Sequence, residues 1–171
     1  DVYAGQKDNL IGSFNRIDGG DTFVDHHVFF AINHSHAGLN HISFEVQDID
    51  DVFIGHEYLS GLSKYEHMWG IGRHLLGSQV YDYWADPWGR VHEHWADSDR
   101  LNLANGSNLV AAEEALTSQW GEAPPAKFIE GGIAQESIVG AGTIVAGATV
   151  RHSVISPNVR LHAGAYVEGS V

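Results

Sequence analysis

At 171 residues the chain has room for one domain with a real core, or one domain plus an appendage. Nine Lys and Arg against 22 Asp and Glu give a formal net charge of −13, which argues against nucleic acid or an anionic membrane surface as partner. Zero cysteines exclude disulfides and thiolate-held zinc or iron–sulfur centres and fit a cytoplasmic location, while twelve histidines direct attention to metal binding. No run approaches the ~18 apolar residues of a membrane helix. There is no charged-then-apolar leader, and the chain opens on Asp1 rather than Met, so a missing N-terminal part is expected.

Asp1 to Asp21 is polar and dotted with glycine, with one short strand expected within Leu10 to Ile17. Thr22 to Ile32 (TFVDHHVFFAI) reads as a strand buried at its C-terminal half, and Asn33 to Gly38 as a loop. Leu39 to Val46 (LNHISFEV) alternates cleanly: Ile42, Phe44 and Val46 face one way, His41, Ser43 and Glu45 the other. Asp48 or Asp50 can cap a helix whose apolar side is Ile49, Val52, Phe53, His56 and Leu59. Gly61 to Gly70 reads as a connecting loop.

Two strands follow, Val80 to Ala85 and Arg90 to Trp95, joined by Asp86-Pro87-Trp88-Gly89. Pro at the second turn position and Gly at the fourth predict a three-residue loop closed by a glycine bulge. That loop pairs Tyr83 with Glu93 and Tyr81 with Trp95. A two-residue loop would pair Tyr83 with His92 and turn Glu93 to the other face. A helix is expected over Asn108 to Gln119, with Leu109, Val110, Ala112 and Leu116 as its stripe, ended by Gly121 to Pro125.

From Glu130 small and β-branched residues replace aromatics. Hexads led by Val139, Val145, Ile155, Leu161 and Val167 carry small or β-branched residues four places on, at Thr143, Thr149, Val159, Ala165 and Val171. Arg151 to Val154 is two residues short of a hexad. Six-residue repeats of this kind build left-handed parallel β-helices, and fewer than two full coils are expected here.

The stretches DHHVFF, LNHISFEVQDIDDV and GRH-x8-Y-x2-DP-x-G-x3-E resemble the C-terminal half of a type I extradiol ring-cleavage dioxygenase, of the vicinal oxygen chelate superfamily. One departure is Asp82, where an apolar residue usually precedes the tyrosine. The tail from Gln135 resembles the hexapeptide β-helix of ADP-glucose pyrophosphorylases, a more generic match. The two do not normally share a chain, so the sequence reads as a fragment or a fusion. The implied fold class is α+β: a βαβββ glyoxalase/extradiol dioxygenase-like module plus a short left-handed parallel β-helix stub. A partial catalytic domain is expected over 1–128, its complete module about 39–96, with the hexapeptide fragment over 135–171.

The resemblance implies extradiol cleavage of a catechol with O2 at non-heme Fe(II), with Mn(II) as the alternative ion. Such sites use two histidines and one carboxylate and leave positions open for substrate and dioxygen. By motif position His41 and Glu93 are two of the three metal ligands, and the third histidine is expected upstream of Asp1. His26 matches the acid/base histidine that handles the substrate hydroxyl proton, with His27 turned to the opposite face. His74 and Tyr83 match groups that hydrogen-bond the catecholate. His34, His36, His56, His67, His92, His94, His152 and His162 are assigned to the surface or the outer face of the hairpin. GIGRH reads as a shaped loop rather than a phosphate loop, lacking the following helix and the lysine. Other readings are a non-catalytic product, and a vicinal oxygen chelate protein of another activity, such as an isomerase or drug-binding module. A sugar-nucleotide transferase origin for the tail has no accompanying nucleotide loop. The partners expected are a small-molecule catechol and O2, in a homo-oligomer.

Overall fold

The computed structural model describes residues 1–105, 108–115, 117–121 and 126–171. It divides into two units, Asp1–Glu122 and Ala123–Val171.

In the first unit β1 (Val2–Tyr3), β2 (Leu10–Asn15), β3 (Val24–Asp25) and β4 (Phe29–Ile32) precede β5 (His41–Glu45). Helix α1 (Ile49–Leu62) leads to β6 (Glu66–His74), β7 (Val80–Ala85) and β8 (Val91–Ala96). Then come β9 (Arg100–Leu101), β10 (Val110–Ala111), the four-residue α2 (Ala112–Ala115) and β11 (Ser118–Gly121). The main sheet has the order β11-β6-β7-β8-β5, antiparallel except where β5 runs parallel to β8. β5-α1-β6-β7-β8 is therefore the βαβββ module. A second sheet, β10-β1-β2-β4, is built from both ends of the unit, and β3 pairs with β9.

α1 starts where Asp48 caps it: the side chain accepts from the Asp51 amide at 3.0 Å. Asp50 and Asp51 in its first turn oppose the helix dipole. Val52 on its inner side packs with Val80 and Ala96, against which Val46, Ile49 and Ile71 also lie. The hairpin keeps the expected register, Tyr83 opposite Glu93 and Tyr81 opposite Trp95. Gly89 closes the turn at φ 77°, and the Asp86 and Arg90 backbones are bonded at 2.9 Å. Asp86 Oδ1 also accepts from the Trp88 and Arg90 amides, both at 2.9 Å.

Five expectations need correction. Thr22 to Ile32 is two strands in different sheets, because the His26 amide bonds to the Asp99 carbonyl at 2.9 Å and breaks the run. Its C-terminal half is exposed rather than buried at Phe29 and Ile32. Much of Gly61 to Gly70 is ordered: the helix runs to Leu62 and β6 begins at Glu66. GIGRH is accordingly strand rather than loop. A Cβ at Gly72 would lie 2.5 Å from the Tyr81 hydroxyl and 2.9 Å from the Trp120 carbonyl, so glycine here makes the seat for Tyr81. The helix expected over Asn108 to Gln119 shrinks to α2, since Val110 pairs with β1 and Ser118–Gly121 with β6. Tertiary pairing overrides local propensity there. Leu116 and the prolines of the expected stop lie outside the described residues.

The second unit is a short left-handed parallel β-helix. Its strands are β12 (Lys127–Ile129), β13 (Ile133–Gln135), β14 (Ile138–Val139), β15 (Ile144–Ala146), β16 (Thr149–Arg151), β17 (Val154–Ile155), β18 (Arg160–Leu161) and β19 (Tyr166–Glu168). They stack in parallel as β12-β15-β18, β13-β16-β19 and β14-β17, one set per face. Lys127 lies under Ile144 and Ile144 under Arg160, steps of 17 and 16 residues. The break at Arg151 to Val154 falls within the second of these steps, and the first is short of three hexads without it. The hexad leaders pack inward: Val145 and Ile155 are buried, with Val139, Leu161 and Val167 against them. Coils begin at Lys127, ahead of the composition change, so two turns and part of a third are present. The expected count of fewer than two was too low because Lys127-Phe128-Ile129 carries no hexad signature.

Candidate active site

Alternation along β7 and β8 puts Tyr81, Tyr83, Glu93 and Trp95 on one face of the main sheet. β5 lies beside β8 with Ser43 opposite Glu93 and His41 two residues earlier, so both join that face. The end of β6 brings His74 to it. Glu93 is 5 % exposed. His41 Nε2 lies 3.4 Å from Glu93 Oε2, and His74 Nε2 lies 3.3 Å from Oε1. The Ser43 hydroxyl donates to Oε2, and the Tyr83 hydroxyl is 3.0 Å from His74 Nε2. The ring of Trp69 stacks on Tyr83 at 5.3 Å between centroids and walls the site.

The electrostatics follow from burial and these contacts. Burial pushes the Glu93 carboxyl up, but hydrogen bonds from His41, His74 and Ser43 outweigh it and hold the group well below the usual carboxylate range. Burial, then the charge and hydrogen bond of Glu93, push the Tyr83 phenol well up, so it stays a neutral donor. At His41, Nδ1 is 2.8 Å from the Asn40 side-chain oxygen. That oxygen only accepts, so Nδ1 donates to it, and Nε2 faces Glu93 either as the donor of the hydrogen bond to its carboxylate or, in the neutral ring, as a lone pair. Two lone-pair donors 3.4 Å apart are stabilised by a cation or a proton between them. The donor set of imidazole and ionised carboxylate fits Fe(II) or Mn(II).

His26 and His27 do not point to opposite faces. Their Nδ1 atoms are 3.0 Å apart, and both rings pack edge-on against Phe14. Burial lowers His27 to about 4, followed by the influence of His26, with Glu93, His74 and His41 all within electrostatic reach. Burial also lowers His26, opposed by Asp99 and assisted by Arg16. Thus His41, His74, Tyr83 and Glu93 form one group within electrostatic reach of His27, and His26 touches His27 while answering to Asp99 and Arg16 instead. Ser43 was not singled out from sequence, although its place two residues after His41 on an alternating strand marks it. His34, His36, His152 and His162 are exposed as expected. His56 and His67 are instead half-buried and bonded to Asp82.

Residues 124–171 match a family model described as GlmU-like, C-terminal hexapeptide. The chain is 35 % identical over 107 residues to metapyrocatechase 2 of Cupriavidus necator, an alignment covering 61 % of this chain and 33 % of that protein. It is 56 % identical over 91 residues to glucose-1-phosphate adenylyltransferase of Corynebacterium jeikeium, covering 52 % of this chain and 22 % of that one. Among solved structures, a Mn(II)-bound glyoxalase from Novosphingobium aromaticivorans superposes with TM-score 0.55 at 21 % identity, over 72 % of this chain and 38 % of that one. The chain thus spans a third or less of the curated relatives it matches. Its first unit has a glyoxalase-like fold and resembles extradiol dioxygenases of the vicinal oxygen chelate superfamily, and its second is a hexapeptide-repeat β-helix resembling that of ADP-glucose pyrophosphorylases.

Proposed function

We propose that the first unit supplies part of an extradiol ring-cleavage centre acting on a catechol-type aromatic. The observation that carries this is the buried Glu93 carboxylate, flanked by His41 and His74 and ending the GRH-x8-Y-x2-DP-x-G-x3-E pattern. His41 and Glu93 hold the ion, Fe(II) with Mn(II) as alternative. When bound, the ion gathers the two catechol oxygens and dioxygen in one place and withdraws charge from them. Ser43 and Asn40 fix the two ligands in orientation.

The remaining residues do the positioning and the proton work. His26, in contact with His27, is held neutral by burial and can take the proton of a catechol hydroxyl. Tyr83 stays protonated and, with His74, offers hydrogen bonds to the catecholate oxygen. Trp69 and Tyr81 form the wall behind these two and keep water from them. The third ligand position is assigned to a histidine of the preceding module, as the family pattern requires.

We further propose a cytoplasmic homo-oligomer without nucleic-acid or membrane partners, consistent with the acidic charge. Among the described residues no helix is long and apolar enough to cross a membrane.

The test is anaerobic binding of 4-nitrocatechol to the chain with excess Fe(II). The account predicts a ligand absorption change that His41→Gln and Glu93→Gln abolish. A change that both variants retain would remove these residues from the centre.

A further inference from the structure

The opposite face of the main sheet carries a second group of donors. Val80, Asp82 and Trp84 alternate with Tyr81 and Tyr83, and Val80 packs on Val52 of α1, so these three face the helix. Asp82 is 1 % exposed. A carboxylate so deep is costly unless it is paired. Its Oδ1 lies 2.8 Å from His67 Nε2 on β6, and its Oδ2 3.2 Å from His56 Nδ1 on α1. The Trp84 indole N–H donates to Oδ2. His56 stands one turn beyond Val52, and His67 pairs with Trp84 across β6 and β7. Their rings meet edge to face, with centroids 4.9 Å apart.

The geometry is that of a ligand set rather than a single pair. One nitrogen of His56, one of His67 and one Asp82 oxygen all lie within 4.8 Å of one another. An ion with four tetrahedral bonds of about 2.0–2.1 Å needs its ligand atoms about 3.3 Å apart. The His56–Asp82 separation of 3.2 Å already matches that value, the His67–Asp82 separation of 2.8 Å is a hydrogen-bond length that an ion would open, and all three atoms lie within 4.8 Å. The histidine side chains are 30 % and 28 % exposed, so an ion can enter from solvent and keep a water. Trp84 supplies the outer hydrogen bond that orients a ligating carboxylate.

We propose that His56, His67 and Asp82 bind a divalent transition-metal ion of the Zn(II) class, with water in the fourth position. Two imidazoles and a carboxylate suit zinc and its cobalt surrogate. The site is separated from Glu93 by the sheet itself, and it fastens α1 to β6 and β7. It also gives Asp82, the departure from the tyrosine-preceding pattern, a role. Without the ion the same atoms form a hydrogen-bonded cluster.

The experiment uses the metal-free 171-residue chain carrying His41→Gln and Glu93→Gln, so that failure of the proposed dioxygenase centre cannot imitate failure here. Zn(II) is titrated against a chromophoric chelator, and Co(II) is followed by its visible absorption. One equivalent of Zn(II) should bind, Co(II) should give a tetrahedral spectrum, and the ion should raise the melting temperature. Adding His56→Gln or His67→Gln should weaken binding at least about tenfold, and Asp82→Asn likewise. His56→Gln sits at the solvent edge of α1, so its far-UV spectrum shows whether the fold survives. Zn(II) affinity and a Co(II) spectrum unchanged in His56→Gln and His67→Gln would overturn the proposal. So would loss of binding on replacing His34 and His36 instead.

Discussion

His41 reaches Glu93 diagonally across the parallel pairing of β5 and β8, two residues before Ser43, with Nε2 3.4 Å from Oε2. The two come from opposite ends of the module, and only the closing of β5 onto β8 brings them together. Between them Ser43 donates to the same carboxylate oxygen. The site is thus set by sheet register more than by any loop.

Ser43 is expected to matter through Glu93. Ser43→Ala removes a donor to a buried carboxylate, so the Glu93 pKa should rise and Fe(II) or Mn(II) affinity should fall about 10–100-fold. The check is metal affinity as a function of pH. Weaker binding whose pH midpoint moves upward supports the role, and an unmoved midpoint contradicts it.

The His26–His27 pair should make stability pH-dependent in metal-free protein. Burial first, then its neighbours, lowers His27 from 6.5 to about 4, so the native state holds it neutral. Below pH 6.5 the unfolded chain takes up a proton that the native state refuses. Stability therefore falls as pH drops from 6.5 toward 4, by roughly 3 kcal/mol over the window. His26 acts in the same direction. Glu93 acts in the same direction at lower pH: its depressed pKa gives stability present above about 4.5 and lost below it. Urea unfolding in chelator from pH 7 to 4.5 should show a slope that His27→Asn reduces.

The hairpin turn offers a local test. Gly89 is in the left-handed region with open space around it, so Gly89→Ala meets strain alone and should cost about 1 kcal/mol. At Gly72 the obstacle is contact with Tyr81 and the Trp120 carbonyl, and Gly72→Ala should cost about 1–3 kcal/mol. Chemical denaturation of the two variants should place Gly72→Ala as the more damaging.

In the β-helix, Thr143 is fully buried, donates to the Ser156 carbonyl at 2.9 Å and accepts from the Val159 amide at 3.2 Å. Thr143→Val keeps the shape and orphans both groups, at about 1–3 kcal/mol. Amide exchange over residues 139–167 should quicken, with the module's amides unaffected.

Much of this was legible in sequence where a local rule was strong. Asp86-Pro87-Trp88-Gly89 sets the loop, the loop sets Tyr83 against Glu93, and the alternation of LNHISFEV places His41. The hexad leaders announce the inward residues of the second unit. What was hidden depended on distant partners. β6 carries glycines that read as loop, and Gly72 is explained by the Tyr81 ring and the Trp120 carbonyl beside it. β10 and β11 are strands because β1 and β6 receive them, against a helical pattern. His56 and His67 resembled surface residues, since their partner Asp82 is reached through α1 and β6 at once.

The central claim is best tested by anaerobic Fe(II) titration with oxygen uptake on catechol and 2,3-dihydroxybiphenyl, on this chain and on one extended upstream. Asp82→Asn in both keeps the second site from contributing. The account predicts loose, Glu93-dependent iron binding and little or no ring cleavage in the 171-residue chain, with both rising in the longer one. Tight iron binding and full ring cleavage in the 171-residue chain would contradict it, and would put His27, His34 or His36 in the third ligand position.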